Sequence, residues 1–258
     1  MITLVKQECF KLLHKSSTYI SSATLLLLMT ALGFLSKYYP GSWGKPEIQF
    51  VQLFAGIYWI PLFMIAACSS IIAMEFQYGT IKELLYRKYY RGQILISKWI
   101  TMFLYSVYFF SVSLAWSLVI KAVLFNDTFK LSDQYNNQLT IIHANILIII
   151  GSFLVLWMIL SLVLLLANVF RSTATAISIG IVGYFGLYII EGMMIKIMNR
   201  WEWLKWNPLN ILNLPLQLTE PNADKVTLLS TPEMVGACLG YTIISLVLSY
   251  IVFKRRSV

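Results

Sequence analysis

Residues 141–169 read IIHANILIIIGSFLVLWMILSLVLLLANV, with no Asp, Glu, Lys or Arg among them. The hydrocarbon core of a bilayer is about 30 Å thick and takes roughly 20 apolar residues of helix to cross. An uncharged run longer than that reads as a membrane-crossing helix that tilts or projects from the bilayer. The composition agrees: 59% of the 258 residues are hydrophobic, 12% are charged and the mean hydropathy is +0.73. A soluble domain carries about 25% charged residues to keep its surface hydrated. This chain would expose far more apolar surface than water tolerates.

Working outward from that run, similar stretches lie at about 18–36, 51–74, 99–125, 173–195 and 234–253. The expectation is one all-α membrane domain over residues 1–258 with six spans. Pro61 falls inside the second and is predicted to kink it. Ahead of the first span, Ile2, Val5, Cys9, Leu12 and Leu13 share a helix face opposite Lys6, Lys11 and Lys15. That pattern predicts an amphipathic helix lying in the membrane surface, with an ordinary cytoplasmic leader as the alternative. No cleavable signal peptide is evident, so the first apolar helix is expected to stay as an anchor.

Charge sets the expected orientation. With the amino terminus inside, twelve of the twenty Lys and Arg fall on the cytoplasmic side, and the net charges are +9 inside against +1 outside. Both termini are then cytoplasmic, as the positive-inside rule requires. The overall charge of +9 does not indicate nucleic acid, because the cations flank apolar spans instead of forming a basic surface. Cys9, Cys68 and Cys238 are odd in number and far apart, which argues against a disulfide framework or a zinc site. His14 and His143 fall on opposite sides of the membrane, and neither His-Glu-x-x-His nor Gly-x-Ser-x-Gly occurs. A catalytic chain is therefore not expected.

Residues 196–233 carry Trp201, Trp203, Trp206 and four prolines among apolar residues. Tryptophan favours the headgroup zone, so short helices dipping into the outer surface are predicted, with a plain extracellular loop as the alternative. Glu191 is the one acid placed within a span, a costly position that marks a functional candidate. It reads either as a structural pair with Lys196 or as part of an outer gate. Lys121 near a span end can snorkel. Gly236 and Gly240, with Gly180, Gly183 and Gly186, permit close helix contact. Asn126-Asp127-Thr128 matches a glycosylation acceptor, relevant only in a eukaryotic secretory setting.

Between the second and third spans runs EFQYGTIKELLYRKYYRG, residues 75–92. Gly79 allows the chain to leave one helix, and Thr80 with Glu83 forms a capping box for a new helix from Ile81 that Gly92 can end. Spacing alone leaves a force-transmitting helix and a passive surface connector equally open. Glu75, then Gly79-Thr80, a basic helix, Arg91 and Lys98 resemble the loop after the second span of ABC-2-type permeases, the membrane subunits of one class of ATP-binding cassette exporters. The leading helix with Glu8 and Lys11, the six spans and the stretch around Asn207-Pro208 are also similar to that family. Tyr89 and Tyr90 depart from it, standing where Pro or Ser is frequent, which leaves the end of the loop helix open.

The resemblance implies a permease subunit working as a dimer, with itself or a similar chain, beside a separate cytoplasmic ATPase. Glu75, Gly79, Thr80, Glu83 and Arg91 would form the ATPase-coupling site. ATP and Mg would belong to the ATPase, consistent with the lack of a phosphate-binding loop in this chain. Small six-span permeases of this kind resemble those of antimicrobial or cytolytic peptide export or immunity, which implies an amphipathic substrate moved outward. The rivals are an ion-gradient-driven carrier, which usually needs several mid-membrane charges beside broken helices, and a non-transporting scaffold or sensor.

Overall fold

The computed structural model describes residues 2–77, 90–136, 138–170, 172–198 and 200–255. The chain opens with α1 (Ile2–Leu13), turns at His14 and Lys15, and continues as α2 (Ser16–Tyr38). Two short proline-initiated helices follow, α3 (Pro40–Trp43) and α4 (Pro46–Val51), and then α5 (Gly56–Gln77). Three long helices come next: α6 (Arg91–Leu124), α7 (Ile141–Val169) and α8 (Thr173–Met198). A 3-10 turn at Glu202–Trp206 leads into α9 (Pro208–Ile211), α10 (Leu214–Thr219) and α11 (Asp224–Thr227), before α12 (Thr231–Arg255) closes the chain.

Among the described residues, six helical stretches are long and apolar enough to cross a membrane. They cover Ser16–Tyr38, Pro46–Ile71, Gly92–Leu124, Ile141–Asn168, Thr173–Met194 and Thr231–Lys254. This is the build of a multi-pass membrane protein. The third stretch begins well before the expected residue 99, because α6 is already helical at Arg91. Gly92 thus lies in the first turn of a span and does not end the connector helix. A Cβ there would sit 3.0 Å from the Tyr250 ring, so its lack of a side chain serves the contact between α6 and α12.

The run that decides the fold also organises it. α7 packs against α4, α5, α8, α10 and α12, while α6 carries α1 and α2 on its flank. At Gly151 a Cβ would meet the Pro215 backbone at 2.8 Å, so α10 is seated directly on α7. The short helices of 202–227 therefore form a plug packed into one end of the bundle. Ile211 and Leu214 are fully buried, whereas Trp201, Trp203 and Trp206 remain exposed. Inside the plug, Asn210 Nδ2 donates to the carbonyls of Lys205 and Thr227, and Gln217 Nε2 donates to Leu229. Proline at the first positions of α9 and α10 starts each helix without wasting an N–H.

The second span is interrupted, at a place the sequence does not signal. Leu53, Phe54 and Ala55 have φ of 53°, 46° and 61°, three left-handed residues in a row between α4 and α5. Each costs an L-residue about 1–2 kcal/mol. Packing holds them: Phe54 stacks on Phe125, Phe50 contacts Phe129, and both Phe50 and Phe54 are fully buried. Asn145 of α7 donates through Nδ2 to the carbonyls of Phe50 and Val51, each at 3.0 Å. α5 by itself has 22 residues, enough to cross a bilayer core, so the break stands at the entry to that helix, where protein supplies its backbone partners. Pro61, where a kink was expected, lies within α5 after this break.

Candidate functional site

Two ends of the bundle carry most of its polar chemistry. The first holds α1, the close of α5 and the start of α6. α1 turns Leu4, Glu8 and Leu12 against the bundle, a stripe with a spacing of four residues. Val5 and Cys9 flank it half-buried, while Ile2, Phe10 and Leu13 stay exposed. Glu8 is therefore inside, only 6% exposed, and it meets Lys98, which is 1% exposed.

Lys98 Nζ donates to Glu8 Oε2 at 3.2 Å and to the Ile71 carbonyl of α5 at 3.0 Å. Lys11 Nζ, on the exposed side, reaches Glu8 Oε1 at 2.8 Å. Burial disfavours the charged carboxylate, but Lys98 and Lys11 together outweigh it and hold Glu8 below its ordinary 4.5. A charge in this position is tolerated only because it is paired and hydrogen-bonded. Further along, Tyr105 OH donates to Thr18 Oγ1 at 3.0 Å and Thr18 donates to the Leu12 carbonyl. Two sets of polar contacts thus tie these elements together, one joining α1, α5 and α6 and the other α1, α2 and α6.

The expected coupling residues border this junction. Glu75 lies in the last turn of α5 and Arg91 opens α6. Gly79, Thr80 and Glu83 lie outside the described residues, as does the connector helix assigned to them. Lys98, of the buried pair, closes the second turn of α6. Glu8 and Lys98 are each legible in the sequence, but their pairing is not. The i, i+4, i+8 stripe of Leu4, Glu8 and Leu12 is the signal that puts Glu8 inside.

The opposite end holds the plug, the 125–140 loop and the broken entry to α5. Glu191 of α8 accepts a hydrogen bond from Asn213 Nδ2 at 2.7 Å. Its observed partner is therefore an amide of the plug, and Lys196 lies near the end of α8. Tyr135 OH donates to Glu220 Oε1 at 3.2 Å, and Asn136 Nδ2 donates to the Thr219 carbonyl at 2.8 Å. Burial and the nearby Glu220 carboxylate push Tyr135 up to about 12, so it stays a donor across the physiological range. A cleft of about 200 Å³ opens here, with Tyr58, Tyr188, Asn213 and Glu220 in its walls. Sequence reading missed the tyrosines and Asn145, since no local pattern distinguishes them.

Among the described residues, no group of three or more His, Cys, Asp or Glu is placed to hold a metal ion. No curated protein matches the chain in sequence. The profile of one family, described as protein of unknown function (DUF2705), matches residues 9–258. That match takes in all six apolar stretches and nearly the whole sequence, so the chain belongs to the DUF2705 family.

Proposed function

We propose that this chain is the permease subunit of an ATP-binding cassette exporter, moving an amphipathic substrate out across the cytoplasmic membrane. Both termini would be cytoplasmic, and a separate ATPase would supply ATP and Mg chemistry from that side. The chain would work as a dimer, with a second copy or a similar permease. An antimicrobial or cytolytic peptide is the substrate class that the ABC-2 resemblance favours.

The observation that carries this reading is the buried Glu8–Lys98 pair with its third contact at the Ile71 carbonyl. It couples the leading helix to the second and third spans at the end where residues 78–89 connect them. A motor docked against α1 or that connector would thereby act on both spans at once. The exposed Ile2, Phe10 and Leu13 on α1 support a helix lying in the membrane surface beside the motor.

The break at Leu53–Ala55 is the one feature that favours an ion-driven carrier, since such carriers build sites on discontinuous helices. It offers an ion little, however. Its side chains are apolar, and Asn145 Nδ2 donates to the Phe50 and Val51 carbonyls, which leaves the buried Asn145 Oδ1 as a single side-chain acceptor without a hydrogen-bond partner among the described residues. Purification of the tagged chain in mild detergent, followed by identification of bound proteins, tests the proposal. An ATPase should co-purify, and Lys98→Met should reduce transport-coupled hydrolysis. Full-rate cargo movement by the reconstituted chain alone, without nucleotide, overturns it.

A further inference from the structure

The cleft at the plug end is walled in a way that selects charge. Tyr58 of α5, Tyr188 of α8 and Tyr135 of the 125–140 loop contribute aromatic surface, and α7 contributes Val155 and Leu156. Tyr184 supports this wall from behind, its ring 5.0 Å from that of Tyr188 and its hydroxyl directed to the Tyr58 carbonyl. Among the described residues lining the cleft, Glu220 is the only formally charged one. Pro61, also in the wall, has no N–H to offer the carbonyl of Ile57 four residues earlier.

A wider cavity of about 410 Å³ shares Tyr135 and Glu220 with the cleft and adds Glu47 and Asp133 against a single Lys45. The approach is therefore net negative, and the inner chamber is aromatic and aliphatic with one carboxylate at its rim. Aromatic faces attract cations through the ring quadrupole, and a carboxylate of low local competition completes the counter-charge. An anion would meet Glu220 and Glu47 without a cation inside the cleft to receive it.

We propose that this tyrosine-walled cleft binds an organic cation, with an alkylammonium or guanidinium head against Tyr58, Tyr188 and Glu220 and an apolar tail along α7. As the substrate class for the exporter it rests on the transport reading above, but the binding itself does not. Two sources carry this chemistry: a free amphipathic cation and the ammonium headgroup of a lipid.

The test is binding of benzyltrimethylammonium to the full chain in phosphatidylglycerol nanodiscs, followed by calorimetry. Binding should be about tenfold weaker in Glu220→Gln and about threefold weaker in Tyr58→Leu or Tyr188→Leu. Glu202→Gln, an exposed carboxylate outside the cleft, should bind as the parent does. Adding phosphatidylethanolamine to the nanodiscs separates the sources: competition identifies the lipid, and unchanged affinity identifies a free cation. Equal affinity for benzenesulfonate, or unaltered cation affinity in both Glu220→Gln and Tyr58→Leu, overturns the proposal. Failure of any ATPase to co-purify with the chain would sink the exporter reading and leave the cation site standing.

Discussion

The two ends of the bundle handle carboxylates in opposite ways. At the α1 end, Glu8 is buried and matched by cations: Lys98 from inside and Lys11 from outside. At the plug end, Glu191 and Glu220 have neutral partners, Asn213 and Tyr135, and Glu220 is exposed. The first arrangement stores charge in a closed circuit, so it binds helices together and repels disturbance. The second pairs its carboxylates with neutral donors and leaves an excess of negative charge at a cavity, with Glu47, Asp133 and Glu220 against Lys45. The contrast sets a closed, charge-paired junction against an open, net-negative cavity.

The sharpest way to break that distinction is at Lys98. Lys98→Met takes away the buried partner of Glu8 and leaves only the exposed Lys11, so the loss should approach, without exceeding, the roughly 3–5 kcal/mol of breaking a buried pair. Unfolding in a detergent titration should show a loss of that order. The double change Glu8→Met with Lys98→Met should recover most of it, because an apolar pair of similar volume needs no compensation. No recovery would mean that the joint depends on other contacts.

Next comes Asn145, which supports the plug end from within the core. Asn145→Leu removes the side-chain donor to the Phe50 and Val51 carbonyls, of which Phe50 keeps the Leu53 N–H, and should cost about 1–3 kcal/mol by the same measurement. Glycines give a comparison inside one experiment. Gly151→Ala meets the Pro215 backbone at 2.8 Å and should cost about 1–3 kcal/mol through overpacking. Gly236→Ala and Gly240→Ala meet nothing within 4 Å and should be neutral or slightly stabilising in a single chain. Marked destabilisation at Gly236 or Gly240 in the membrane would locate a helix–helix contact with another copy.

Acid should distinguish the two ends as well. Glu8 is held below its ordinary 4.5, so its contribution is complete above that pH and is lost as pH falls through the lowered folded value. Limited proteolysis of α1 should therefore accelerate at strongly acidic pH, and Glu8→Gln should remove that dependence. The smallest effect belongs to Glu191→Gln. It keeps a hydrogen-bonding oxygen for Asn213, so the loss should stay within about 0.5–1.5 kcal/mol.

Legibility followed the range of the interactions concerned. Five of the six crossings sit within a few residues of where uninterrupted apolar runs put them, because exclusion from water acts residue by residue. The third began early, since Lys98 reads as a flanking cation until Glu8 is seen beside it. The short helices of the 202–227 plug were foreshadowed by their prolines and tryptophans. Its seating on Gly151 was not, because a glycine in an apolar run carries no mark of what approaches it.

Local chemistry by itself determined that this is an all-helical chain with six apolar stretches, for hydropathy and helix length are properties of consecutive residues. Tertiary contact alone decided that the second stretch has a left-handed break at Leu53–Ala55, ahead of Pro61. Nothing in Leu-Phe-Ala favours left-handed backbone. That turn exists because the Phe50, Phe54, Phe125 and Phe129 rings and the Asn145 amide, brought together from three separate parts of the chain, repay its conformational cost.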